Sequence, residues 1–132
     1  MVDGKGDDSN VGDLMHARLI NAAYKGNIND LNDLISKKVD INQVEKSLGY
    51  TALMVAASEG HYSIVNALIK AGANVDLAKE DGTTPLLAAA SKGHYSIVNA
   101  LIEAEADVNL AKEDGTTPLQ DAVDGNHDSI VN

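Results

Sequence analysis

The chain has 132 residues and a formal net charge of −10, with no Cys, Trp or Phe and four Tyr as its only aromatics. The lack of Cys removes disulfides, thiolate metal sites and cysteine nucleophiles together, and the acidity repels nucleic-acid backbones. Without Phe or Trp to fill a thick interior, Ala, Leu, Ile and Val must do the packing, which suits thin elements stacked closely.

Residues 1–13 carry four Asp against Lys5 alone, and residues 1–12 are expected to form a disordered acidic tail. This stretch lacks the apolar run of a signal peptide, and no segment approaches the ~18 apolar residues of a membrane helix. The expectation is a cytoplasmic protein without membrane contact. Residues 14–100 balance eight acids with eight bases, whereas residues 101–132 set eight acids against Lys112 alone. That terminal acidity serves solubility or offers a dock for a basic partner.

From residue 13 onward the chain repeats itself, in units spanning 13–48, 49–81, 82–114 and an incomplete 115–132. Ala22-Ala23-Tyr24-Lys25-Gly26-Asn27 matches Ala56-Ala57-Ser58-Glu59-Gly60-His61 at a shift of 34, so the first unit is one residue longer than the rest. The extra residue falls in Gln43 to Gly49, a connection, where insertions are tolerated. Residues 50–82 and 83–115 are then identical at 24 of 33 positions. The block His61 to Asn66 returns as His94 to Asn99 and, with one change, as His127 to Asn132.

Each unit reads as helix, tight turn, helix and extended loop. Thr84 followed by Pro85 is a helix start, and Leu86, Ala89 and Ala90 form a short apolar face. Gly93 supplies the left-handed residue that ends the helix. A second helix begins near Tyr95, with Ile97, Val98, Leu101 and Ile102 on one face. The polar run Lys112-Glu113-Asp114-Gly115 turns the chain into the next unit. Helices this short are marginal alone, so stability must come from stacking.

No constellation in the chain carries a reaction. His61, His94 and His127 hold one position in successive units, but packed helices lie roughly 8–10 Å apart and a shared zinc needs ligands at about 2 Å. Each is expected to bond nearby backbone at the start of its helix. Ser63, Ser96 and Ser129 follow at i+2, a spacing that does not face the histidine. The pairs Glu80-Asp81 and Glu113-Asp114 sit on solvated loop tips, where nothing separates their protonation. The glycines are spaced singly, unlike a phosphate-binding loop. Neither enzyme activity nor a metal or cofactor is expected.

The pattern Gly82-x-Thr84-Pro85-Leu86-x-x-Ala89-Ala90-x-x-Gly93-His94-x-x-Ile97-Val98-x-x-Leu101-Ile102-x-x-x-Ala106-Asp107-Val108-Asn109 resembles the ankyrin repeat family, whose 33-residue period it shares. The resemblance covers about residues 14–132. It implies an all-α ankyrin-repeat solenoid of stacked helix-turn-helix units with protruding hairpin-like loops, and a non-catalytic module that binds a protein on its concave face. Partner contacts carried over by position are Tyr24 and Lys25 in the first unit and Tyr50, Ser58 and Glu59 in the second. The third contributes Glu80, Asp81, Thr83, Ser91 and Lys92, and the loop after it Glu113, Asp114 and Thr116. Tyr24 and Tyr50 are anchors for a partner or rings packed over neighbouring stems. Tyr62 and Tyr95, opening the second helices on the opposite face, are expected to pack.

Departures from the family pattern carry their own expectations. The loop-bracing His that follows Thr-Pro-Leu is replaced by Met54, Leu87 and Gln120, which implies a weakened network between loops. The glycine after the second helix survives only as Gly72, leaving Lys38 and Glu105 in a left-handed backbone at a cost of roughly 1 kcal/mol each. The chain stops about one turn into the last helix, as a fragment of a longer array would. A monomer is expected, and the partner is a protein of unknown identity, basic if the acidity guides it. Two functional readings stay open: an interaction module, or a repeat scaffold without a specific partner, either a fragment or a consensus-like engineered array.

Overall fold

The computed structural model describes residues 8–118, with side chains from Leu14 onward. Gln120, His127, Ser129 and nearly all of the incomplete fourth unit lie outside the described residues. Within them the chain forms six helices and no strand: α1 (Asp8–Lys25), α2 (Ile28–Ser36), α3 (Ala52–Glu59), α4 (Tyr62–Lys70), α5 (Pro85–Lys92) and α6 (Tyr95–Glu103). The first helix reaches back to Asp8, so the end of the stretch read as a tail is helical. Each unit is a helix pair. The first helices α1, α3 and α5 stack into an inner row, and α2, α4 and α6 into an outer row.

The inner row is built on alanine. Ala22, Ala23, Ala56, Ala57, Ala89 and Ala90 are all buried between neighbouring helices, where a larger side chain would force the backbones apart. Thr51 and Thr84 start α3 and α5 from extended backbone, their hydroxyls accepting from the Met54 and Leu87 N–H groups at 3.2 and 3.1 Å. Both threonines are buried, and such a cap is worth about 1 kcal/mol. Pro85 stands at the first helical position, where its missing N–H costs nothing.

All six helices end alike. A left-handed residue closes each one: Gly26, Gly60 and Gly93 in the inner row, Lys38, Gly72 and Glu105 in the outer row. The following N–H then donates to the carbonyl five residues back, as in Asn27 to Ala22, His61 to Ala56, Ala73 to Leu68 and Ala106 to Leu101. This 6→1 bond satisfies carbonyls that the helix leaves orphaned. Lys38 (φ 64°) and Glu105 (φ 71°) hold the left-handed backbone expected of them.

The outer helices bury one stripe each: Leu31 and Leu34, then Ile64, Val65 and Leu68, then Ile97, Val98 and Leu101. Two sequence expectations fail here. Ile102 is 45% exposed, because it lies past the edge of the stripe at the end of α6. Tyr62 and Tyr95 are 48% and 55% exposed rather than packed. They precede Ile64 and Ile97 by two residues, about 200° around the helix at 3.6 residues per turn, and so point outward.

Adjacent units are tied at both ends. At the turn between the two helices of a unit, the His61 ring donates from Nε2 to the Tyr24 carbonyl at 2.9 Å, and His94 does the same to Ser58 at 3.1 Å. A carbonyl only accepts, so Nε2 carries the proton in both. After the second helices, Asn42 Oδ1 accepts from the Asn74 N–H at 2.8 Å and Asp76 Oδ1 from the Asp107 N–H at 2.9 Å. Loop tips join through Glu113 N–H to the Asp81 carbonyl at 2.8 Å. The loops are therefore braced without the family histidine, by Asn and Asp side chains and by backbone.

Candidate functional site

The inner helices and the loops leading into them enclose an open groove of about 600 Å³. Its floor is apolar: Ile20 from α1, Val55 from α3 and Ala88 from α5 are partly exposed, while Met54 and Leu87, which also border it, are buried. Met54 and Leu87 stand where the family would place its loop-bracing histidine, and both are buried, so the departure from the motif adds to the core. Tyr24 and Tyr50 also line it, Tyr24 more than half exposed and Tyr50 partly so. Exposed aromatic rings over an apolar floor can bury much area at low entropic cost.

Seven of the residues expected at a partner surface line this groove: Tyr24, Tyr50, Ser58, Glu59, Thr83, Ser91 and Lys92. Lys25, Glu80, Asp81, Glu113, Asp114 and Thr116 do not. Four of those six lie at loop tips, and Asp81, Asp114 and Thr116 are held by bonds within the turn. Asp81 Oδ1 accepts from the Thr83 N–H and hydroxyl at 3.0 and 2.7 Å, and Asp114 from Thr116 at 2.9 and 2.6 Å. The Thr hydroxyl bond, then the Thr N–H, holds each carboxyl below the ordinary aspartate range.

The first loop solves the same turn with an extra residue. Lys79 N–H closes onto the Thr83 carbonyl and Lys112 onto Thr116, four residues on, whereas Glu45 closes onto Tyr50, five on. The longer turn is gathered by the Glu45 carboxylate, which accepts the Ser47 hydroxyl and the N–H groups of Leu48 and Gly49 at 2.6 and 3.2 Å. The Ser47 bond, followed by the Leu48 N–H, brings the Glu45 pKa down to about 2. The inserted residue is thus absorbed without moving Tyr50 off the groove.

Sequence reasoning passed over the lysines. Lys79 and Lys112 line the groove from equivalent positions two residues before Asp81 and Asp114. Their recurrence at a shift of 33 is the sequence signal for them. Asn21 also borders the groove.

None of the helices in the described residues is long and apolar enough to cross a membrane. His61 and His94 each reach a different carbonyl of the preceding unit. A family description of ankyrin repeats in three copies matches residues 19–112 and 79–132. The chain is similar to a human mitochondrial disaggregase, 39% identical over 64 residues, which cover 48% of this chain and 9% of that protein. It is also 45% identical over 60 residues to ankyrin repeat domain-containing protein 29 of Danio rerio, covering 45% of this chain and 20% of the relative. Human ankyrin repeat domain-containing protein 39 is 40% identical over 55 residues, 42% of this chain and 30% of its own length. The matched segments thus span less than a third of each of these relatives.

Proposed function

Because the chain belongs to the ankyrin repeat family, we propose that it is a non-catalytic interaction module that seats part of a partner protein in the groove along α1, α3 and α5. The observation that carries this reading is the groove itself: an apolar floor from three successive units, lined also by the exposed Tyr24 and the partly exposed Tyr50. Its open form suits a chain segment or a protruding loop better than a small molecule enclosed on most sides. The rigid, repeated inner row supports the reading as well, since a preorganised surface loses little entropy on binding.

Full-length chain carrying Tyr24→Ala and Tyr50→Ala, used beside the unaltered chain as bait in a cell lysate, tests the assignment. Tyr24 is exposed and Tyr50 partly buried, so circular dichroism and a melting curve of the doubly substituted chain are recorded beside the binding. Preys that need the groove are expected to fall by about tenfold or more, the effect of losing an aromatic hot spot. Equal recovery of every prey by both baits would remove the groove as the contact surface. No prey on either would favour a scaffold without a partner.

A further inference from the structure

The groove's charge is opposite in sign to the chain's. Net charge is −10, concentrated in the two ends, yet the charged residues lining the groove are Lys79, Lys92 and Lys112 against Glu59 alone. None of the three lysines is in an ion pair within 4.0 Å among the described residues, where the pairs that form involve Arg18 and Lys37 with Asp30 and Asp33. Lys79 and Lys112 hold the same place in successive units, and Lys92 ends α5, so the positive charges flank one stretch of apolar floor. At physiological salt the screening length is about 8 Å, so a ligand seated in the groove responds first to these lysines and to the carboxylates of the adjoining tips, Asp81 and Asp114, which act on Lys79 and Lys112.

Resting on the groove as a protein-binding surface, we propose that its occupant is an acidic segment of a partner protein, with carboxylates spaced to meet Lys79, Lys92 and Lys112 and an apolar side chain set on the partly exposed floor of Ile20, Val55 and Ala88. A continuous polyanion is the poorer fit. The tips Glu80, Asp81, Glu113 and Asp114 rise beside the lysines and repel a strand charged along its whole length. A peptide can place its carboxylates opposite the lysines and neutral residues opposite the tips. The chain's overall acidity, taken alone, points to a basic partner; the charge inside the groove reverses that choice.

Selection of a random peptide library displayed on phage against the full chain tests this, followed by binding of the selected peptides to Lys79→Gln/Lys112→Gln and to Tyr50→Ala. The expected result is enrichment of Asp and Glu around an apolar residue. Affinity should fall by about tenfold for the lysine variant and decline with salt. Selected peptides that lose binding with Tyr50→Ala but are neutral or basic overturn the acidic occupant and leave the groove reading standing. Peptides indifferent to all three substitutions overturn both. Failure to select any peptide, with a labelled single-stranded oligonucleotide bound through the same lysines, overturns the proposal in favour of a nucleic acid. A melting temperature unchanged in both variants ensures that loss of binding is not loss of fold.

Discussion

Gly60 and Gly72 have nearly the same backbone, φ 83° and 96°, and close the two helices of one unit with the same 6→1 bond, yet their surroundings differ completely. A Cβ at Gly60 would lie 2.8 Å from His94 Cε1 and 3.0 Å from its Nε2, whereas one at Gly72 would meet nothing within 4 Å. Gly60 is required twice over, by its dihedral and by the ring that bonds the Ser58 carbonyl beneath it. Gly72 is favoured by its dihedral alone. That is why the equivalent outer positions tolerate Lys38 and Glu105, while the crowded inner ends are Gly26 and Gly60. A left-handed helix end does not by itself demand glycine; a left-handed end with a neighbour packed on it does.

The largest effect should come from Gly60→Ala. Left-handed alanine costs roughly 1–2 kcal/mol, and the displaced His94 ring forfeits a hydrogen bond worth about 1 kcal/mol. Urea unfolding is therefore expected to show a loss of roughly 2–3 kcal/mol. In a His94→Ala background the same change should cost only its dihedral term, giving a coupling of about 1 kcal/mol in the double-mutant cycle. Additive losses would mean that the ring moves aside freely and the crowding is incidental. Gly26, with His61 Nδ1 at 2.7 Å from the added Cβ, should behave as Gly60 does.

Gly72→Ala is the control on the outer row and should cost about 1 kcal/mol, the dihedral alone. If it matched Gly60→Ala, the distinction between crowded and open ends would collapse.

Much of this was legible in the sequence because local chemistry recurs at a fixed period. Thr84-Pro85, Gly93 and the Ile97-Val98-Leu101 stripe each act within a few residues, so a reader without coordinates can place the helices and their ends. The left-handed Lys38 and Glu105 followed from the same register. What was not legible depends on contact between units. The bonds of His61 and His94 to carbonyls of the preceding unit, and the Asn42 and Asp76 braces, join residues more than 30 positions apart. Half of the expected contact surface lies off the groove for a related reason. Position within a repeat identifies a loop tip, but only packing shows whether that tip faces the floor or bonds to itself, as Asp81 and Asp114 do. The outward turn of Tyr62 and Tyr95 was within reach of a helical wheel.

The smallest effect concerns the two substituted ends and has opposite electrostatic terms at each. Glycine at Lys38 or Glu105 relieves roughly 1–2 kcal/mol of left-handed strain but loosens the unfolded chain by about 0.4–1 kcal/mol, a net gain of about 0.5–1 kcal/mol. Glu105 also places a negative charge at the carbonyl end of α6, where the helix dipole disfavours it, within a C-terminal stretch already rich in acids. Lys38 places a positive charge at the end of α2, where the dipole favours it by roughly 0.3–1 kcal/mol at low salt. Glu105→Gly should therefore raise the melting temperature by a few degrees, and Lys38→Gly should leave it nearly unchanged. In high salt the dipole terms are screened and the two variants should converge on the same modest gain. A larger gain from Lys38→Gly than from Glu105→Gly at low salt would show that something other than dihedral strain and the helix dipole governs these ends.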